Sequence, residues 1–502
     1  MLETRHRGLL MAAVMSVSII QFLDMTIANV ALPHIRSGLG ASLDSISWVL
    51  TSYIIAAVMF TPIVGWLSDK LGSRRVFLGA VAGFLLASML CGAATSLGQM
   101  VLFRALQGIC AAFIGPMSQT IVFDINPPSK QPSAMSLWGL VVMIAPITGP
   151  MLGGILTDSL NWRWIFYINL PIGIPTLLLL AWLLPSRPLA PRKLDRFGFC
   201  MLAIGLVALQ LLLDRGQHKD WLDSIEIIFE LIISLSAFWI FLVHTVTTDN
   251  TLFPAGLLKN TEFVGGMALM FMLGIANVAL SSILPTMFQT VYHYTALDTG
   301  LLMMPRGIGV AITMTIANRL IGKVDVRYII ATGYLGASLA LWLMSQWSLD
   351  MDRWPIFATG LIQGLGLGFV FMPVSLVAFA TLETHYRPDG SSLLNLMRNL
   401  GGSFGISIIF TMLARNTQTS HADIAASITA YNLPGIDPGA SAERFGEYGL
   451  GSLQMIDAEI NRQALMIAYI DNFHVMALLL LLIALAALLL RPPIIPGTQE
   501  PH

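Results

Sequence analysis

Charge is what this sequence has least of. Only 11% of its 502 residues are charged and 56% are hydrophobic, against about 25% and about 45–50% in ordinary soluble domains. Such a composition supplies too little polar surface for a water-soluble body of this size, so the chain reads as a membrane protein without a large soluble domain. A formal net charge of −1 leaves no basic stripe for nucleic acid. Cysteine is scarce as well. Cys91, Cys110 and Cys200 are odd in number and all lie in apolar runs, which excludes a disulfide framework or a zinc site and reads as packing. No cofactor or metal is expected. A cleavable signal peptide would have a shorter apolar region and a small-residue cleavage site than the run from Gly8 to Pro33 offers. That run reads as an uncleaved first span.

Long apolar runs are present in abundance. Hydropathy places spans at about 9–33, 47–67, 76–95, 100–122, 135–157, 164–185, 197–213, 225–245, 263–287, 298–318, 328–347, 354–380, 393–413 and 470–490. Runs of this length predict an all-α membrane protein, because barrel strands would alternate over about ten residues. The seventh run is short and the eighth carries Glu226 and Glu230. An even number of spans puts both termini on one side. With that side cytoplasmic, about sixteen basic residues fall inside and eight outside, and the clusters at 70–75 and 187–196 are both inside. Both termini are therefore expected in the cytoplasm, with residues 415–469 as the one long external loop. That loop mixes turn signals such as Asn432-Leu433-Pro434-Gly435 with a helical stretch, Gly451 to Tyr469. A passive connector and a functional loop both remain open readings.

The turn between the second and third spans reads Gly65-Trp66-Leu67-Ser68-Asp69-Lys70-Leu71-Gly72-Ser73-Arg74-Arg75-Val76. Asp69 is placed to cap a helix or meet a base, Gly72 permits a tight turn, and Arg74 and Arg75 suit an anionic leaflet. A positive-inside turn with chance glycines is the alternative. The segment resembles the conserved loop of the major facilitator superfamily, and gating of the conformational cycle by Gly65, Asp69, Gly72, Arg74 and Arg75 is what that resemblance implies. A weak echo at Asn318 to Arg327 keeps an arginine but puts Asn318, Gly322 and Asp325 in the places of Gly65, Asp69 and Gly72.

Further motifs extend the resemblance. Leu102-Phe103-Arg104-Ala105-Leu106-Gln107-Gly108 is similar to the superfamily motif whose arginine takes part in proton coupling. A central arginine costs at least about 2.5–3.5 kcal/mol to insert and calls for a cavity or an acid, although Arg104 near a span end also permits snorkelling. Ala145-Pro146-Ile147-Thr148-Gly149-Pro150-Met151-Leu152-Gly153-Gly154 resembles the antiporter motif of exporters, with alanine in place of its usual first glycine. Its Gly149, Pro150, Gly153 and Gly154 suit close helix approach and bending, which ordinary packing would also use. Leu23 to Pro33, Asn161 to Pro171, Pro305-Arg306-Gly307, Arg398 to Ser403 and Arg462-Gln463-Ala464 resemble the fourteen-span drug:proton antiporter family, and within it EmrB-type permeases. That resemblance implies proton-driven export of hydrophobic or amphipathic toxic molecules across a bacterial inner membrane. It also implies an EmrA-like periplasmic adaptor and an outer-membrane channel as partners.

Asp24 is the best candidate for a proton carrier with Arg104, since an acid inside an apolar span has a charge that responds to its surroundings. A purely structural acid satisfied by Thr26, Asn29 or an arginine is also open. Asp124, Glu230, Glu262, Glu383 and Asp471 are read mostly as water-facing. Asn29, Gln107, Arg306 and Arg398 are candidates for the cavity, and an excess of arginine over acid there favours neutral or weakly acidic aromatic cargo. The expected architecture is residues 1–185 as a six-helix bundle, 186–262 as a linker with two inserted spans away from the pathway, and 263–502 as a second bundle. Rival readings are a transporter of one metabolite or a transporter-like sensor. A membrane enzyme finds little support: no histidine is followed by glutamate, so there is no His-Glu-x-x-His site, and no nucleophile elbow is expected.

Overall fold

The computed structural model describes residues 6–185, 189, 192–248, 251–380, 382–383, 386–427 and 438–488. Within them lie fourteen helices long and apolar enough to cross a membrane. In chain order, spans 1 to 6 are Arg7–Leu39, Trp48–Leu71, Ser73–Ala93, Leu97–Ile125, Pro128–Thr157 and Trp164–Leu183. Spans 7 to 10 are Arg196–Arg215, Ile225–Thr247, Thr261–Thr290 and Leu297–Leu320. Spans 11 to 14 are Val326–Met344, Arg353–Phe379, Arg387–Ser427 and Gln454–Leu488. Both doubtful spans, the seventh and eighth, are among them.

Five spans open on a side chain that satisfies a free N–H group of the helix. Ser96, Asp195, Asn260, Thr295 and Asp325 each accept a backbone N–H at the start of spans 4, 7, 9, 10 and 11. Asp325 also takes Arg327 Nε at 3.0 Å and Nη2 at 2.7 Å, and this hydrogen bonding holds its carboxyl below the usual range. The Asp69 turn is made differently. Gly72, at φ +91° and ψ 133°, ends span 2 in a region open to glycine alone. In the echo loop the positive φ falls on Gly322, at +84°, so that loop keeps a glycine turn at a shifted place.

Packing follows a repeat. Span 1 lies on span 5, span 2 on span 4, and span 3 on span 4; eight spans later, 9 lies on 13, 10 on 12, and 11 on 12. The two sets meet chiefly where span 5 faces span 10 and where spans 2 and 4 face span 13.

The inserted pair departs from expectation. Span 8 packs almost wholly on span 7 and exposes Phe229, Leu235 and Trp239, a lipid-facing surface. Span 7, expected away from the pathway, lies against both sets. At its end Asp214 accepts a hydrogen bond from Thr51 of span 2, and Leu213 O accepts one from Ser407 of span 13 at 2.8 Å.

Residues 415–469 also differ from the expected loop. Span 13 continues as helix to Ser427, and the helix containing span 14 already begins at Pro438. Between Ala414 and Ser427 no proline or glycine interrupts the polar sequence, so span 13 runs on as helix; the helix from Pro438 takes in the expected helical stretch Gly451 to Tyr469. The Asn432 to Gly435 turn lies outside the described residues.

Candidate functional site

Span 4 presents Arg104 and Gln107 one turn apart on the same face, toward Asp24 of span 1. All three are fully buried. Arg104 Nη1 donates to Asp24 Oδ2 at 2.7 Å and to Gln107 Oε1 at 2.8 Å; Gln107 Nε2 donates to Asp24 Oδ1 at 3.0 Å. Asn169, near the start of span 6, gives Asp24 Oδ1 a third donor at 3.0 Å and bonds Ser88 at 2.9 Å. Arg104 Nε donates to Val49 O at 3.1 Å, and its guanidinium lies 4.3 Å from the Tyr53 ring centroid. Gly108 makes room for this, because a Cβ there would collide with Tyr53 O. Asp24 thus sits in a polar cage of three donors, one of them a cation, which complements a carboxylate charge, and neither Thr26 nor Asn29 supplies it. Arg104 does not snorkel.

The antiporter-motif residues lie on span 5 against span 1 just past Asp24. A Cβ on Gly149 would strike Thr26 Oγ1, and one on Gly153 would come within 2.9 Å of Ile27 O. Thr157 Oγ1 donates to the carbonyls of Gly153 at 2.7 Å and Gly154 at 3.0 Å. Pro150 is buried within the same helix. These small residues fix how closely span 1, and with it the Asp24 cage, approaches span 5.

At the face carrying the Gly65–Val76 turn, the two sets of spans are clasped. Arg192, in the segment between spans 6 and 7, contacts Asp69 Oδ2 from Nε at 3.2 Å. Its Nη2 reaches Asp389 Oδ1 at 2.6 Å and Oδ2 at 2.8 Å at the start of span 13. Gly65 lies directly under Asp389, where a Cβ would collide with the carboxylate. Trp66 Nε1 donates to Arg192 O at 3.0 Å. Arg74 donates to Ala181 O at 2.5 Å, while Arg75 is exposed. A second bridge joins buried Asp124 to half-buried Arg387 at 2.9 Å, so Asp124 is not the water-facing acid expected. Deeper in, Gln119 Oε1 accepts from Ser391 at 2.9 Å and Asn395 at 2.8 Å, and Trp138 meets Phe371 with centroids 5.8 Å apart.

Beyond this clasp lies a cavity walled by spans 1, 2 and 4 on one side and spans 9 and 13 on the other. Gln21, Phe22, Tyr53, Ile54, Asn395 and Arg398 line it, and Arg398 is the single charged residue among its lining. The Arg398 guanidinium lies 5.1 Å from the Phe22 ring centroid. Of the residues expected in the cavity, only Arg398 is there. Asn29 is exposed elsewhere, Gln107 belongs to the Asp24 cage behind Tyr53, and Arg306 lines a separate small cavity.

Residues 14–406 match the family model described as Major Facilitator Superfamily. The chain belongs to that superfamily. It is 34% identical to the multidrug export protein EmrB of Escherichia coli over 98% of this chain and 97% of that one. It is 32% identical to the fatty acid resistance protein FarB of Neisseria gonorrhoeae, covering 95% and 94%. Among solved structures, the human organic anion transporter MFSD10 covers 95% of this chain with all of its own length aligned, at a TM-score of 0.60 and 17% identity. That last likeness concerns the fold alone.

Within this superfamily fold, motif reading missed Asn169, Arg192, Asp389 and the Asp124–Arg387 bridge. Asn169 stood inside a quoted motif, and Arg192 stood inside a cluster counted only for its charge. One enzyme-like string also escaped notice: Gly401-Gly402-Ser403-Phe404-Gly405 spells Gly-x-Ser-x-Gly. It lies in mid-helix in span 13, without the strand-to-helix turn an elbow requires.

Breaking a buried ion pair from one side costs about 3–5 kcal/mol, whereas removing both charges costs far less. Arg104→Gln should therefore destabilise strongly, and Asp24→Asn with Arg104→Gln should recover most of the loss in unfolding of the detergent-solubilised protein. Simply additive losses would contradict the pairing.

Proposed function

We propose that this protein is a proton-coupled exporter of amphipathic small molecules in a bacterial inner membrane, with both termini cytoplasmic. The observation that carries the reading is the Asp24–Arg104–Gln107–Asn169 cage, separated from the central cavity by Tyr53. Protonation of Asp24 would remove the charge that holds Arg104, leaving the guanidinium with Val49 O and Gln107. Because the Tyr53 ring touches both Arg104 and the cavity, cargo and proton act on opposite sides of one wall, which is what exchange of one for the other needs. The export direction, and toxic compounds as cargo, rest on the likeness to EmrB. Arg398, the single charged residue of the lining, favours neutral or weakly acidic aromatic cargo.

In this reading residues 1–185 and 263–502 are two bundles that rock about the cavity, and the Asp69–Arg192–Asp389 clasp closes the cytoplasmic end. The extended ends of spans 13 and 14 face the periplasm and dock an EmrA-like adaptor that leads to an outer-membrane channel. Transporters of a single metabolite and non-transporting sensors are the outcomes the tests below would expose.

In proteoliposomes with an imposed pH gradient, Asp24→Asn should abolish proton-driven efflux of weakly acidic dyes while dye binding persists. Undiminished pH-driven transport would remove Asp24 from the coupling, and faster export of quaternary-ammonium dyes by the parent would overturn the charge preference. Asp69→Asn should lower turnover with little change in apparent affinity, because the clasp does not line the cavity. A large affinity loss at normal turnover would sink the gating role. Shortening the segment at Asn432 to Gly435 should spare transport in vesicles yet remove resistance in whole cells. Loss in both assays, or in neither, would argue against a docking role.

A further inference from the structure

Among the described residues, two buried arginines of the membrane-spanning region, Arg306 and Arg398, have no carboxylate within ion-pair distance. Arg104 has Asp24, Arg387 has Asp124, and Arg398 faces the central cavity. Arg306 of span 10 is equally buried, yet among the described residues no carboxylate lies within ion-pair distance of it. Its partners are neutral oxygens: Ser281 Oγ at 3.1 Å, Asn277 O at 3.2 Å and Asn277 Oδ1 at 2.7 Å. Asn277 sits mid-span 9 as Asp24 sits mid-span 1, so the second set of spans holds an amide where the first holds an acid.

Arg306 borders a small cavity that it shares with Gln363 of span 12 and with Trp347. Gln363 is 1% exposed, and neither atom of its amide has a protein hydrogen-bond partner among the described residues. The indole N–H of buried Trp347 also has none. The site is held rigidly, because spans 10 and 12 touch backbone to backbone where a Cβ on Gly364 would collide with Arg306 O. A buried cation without a counter-charge, beside unused N–H donors, is a costly arrangement unless something anionic completes it. The remaining wall is apolar, from residues such as Leu284, Phe288 and Met303, and the space suits a particle of about one water's size.

We propose that this cavity binds one small monovalent anion of halide size, held by the Arg306 guanidinium and the Gln363 amide N–H. The anion does for Arg306 what Asp24 does for Arg104, and it makes the packing of spans 9, 10 and 12 dependent on chloride. The site is separate from the central cavity and does not rest on the transport reading.

The test uses the purified full-length chain in detergent, titrated with chloride against gluconate at constant ionic strength. The melting temperature should rise saturably with chloride or bromide by several degrees, and acetate should substitute poorly because of its size. Gln363→Glu places a carboxylate inside the cavity, so it should melt in gluconate close to the parent in saturating chloride and gain nothing from added halide. Equal melting of the parent in both salts would mean water fills the cavity and would overturn the proposal, as would an undiminished chloride response in Gln363→Glu. Should that variant not fold, anomalous scattering from bromide-soaked crystals of the parent decides: a peak between Arg306 and Gln363 supports the site, and its absence at saturating bromide refutes it.

Discussion

An arginine buried among membrane-spanning helices is stable only if something answers its charge, and the first six spans are arranged around that requirement. Arg104 draws Asp24 of span 1, the Val49 carbonyl of span 2 and Gln107 of its own helix to one point, and Asn169 adds span 6. Four helices are thereby committed to one hydrogen-bonded node. Span 5 joins through shape instead, with Gly149 and Gly153 admitting the backbone of span 1. Low dielectric makes such a node strong when complete and costly when any member is missing. The same property lets a single proton matter.

The clasp at the opposite end of span 2 uses charge in another way. Arg192 is about one-fifth exposed and bridges two acids, Asp69 and Asp389, so its ion pairs are partly screened and cheaper to break than the buried node. Gly65 is needed because the Asp389 carboxylate occupies the place a side chain would take.

The fourteen spans were legible because hydropathy registers every helix that must face lipid, and their count survived even at Glu226 and Glu230. The Asp24 and Arg104 pairing was legible because insertion cost forces a deep charge to find a partner. What sequence could not supply was distance in three dimensions. Arg192 and Asp389 are 197 residues apart, and nothing local in either marks the other. Nor did it separate Arg306 from Arg398, which have similar motif settings yet line different cavities. The helix past residue 415 escaped because it is polar, and hydropathy measures affinity for lipid, not helicity; the helical stretch from Gly451 to Tyr469 was legible in the sequence.

Span 7 touches span 2 through Asp214 and span 13 through Leu213, at the end opposite the clasp. The two sets of spans are therefore laced together at one end by ions and at the other by a third party that belongs to neither. No end is left at which they part freely. Separating spans 2 and 13 at this end means breaking the Thr51–Asp214 bond, the Ser407–Leu213 bond, or both.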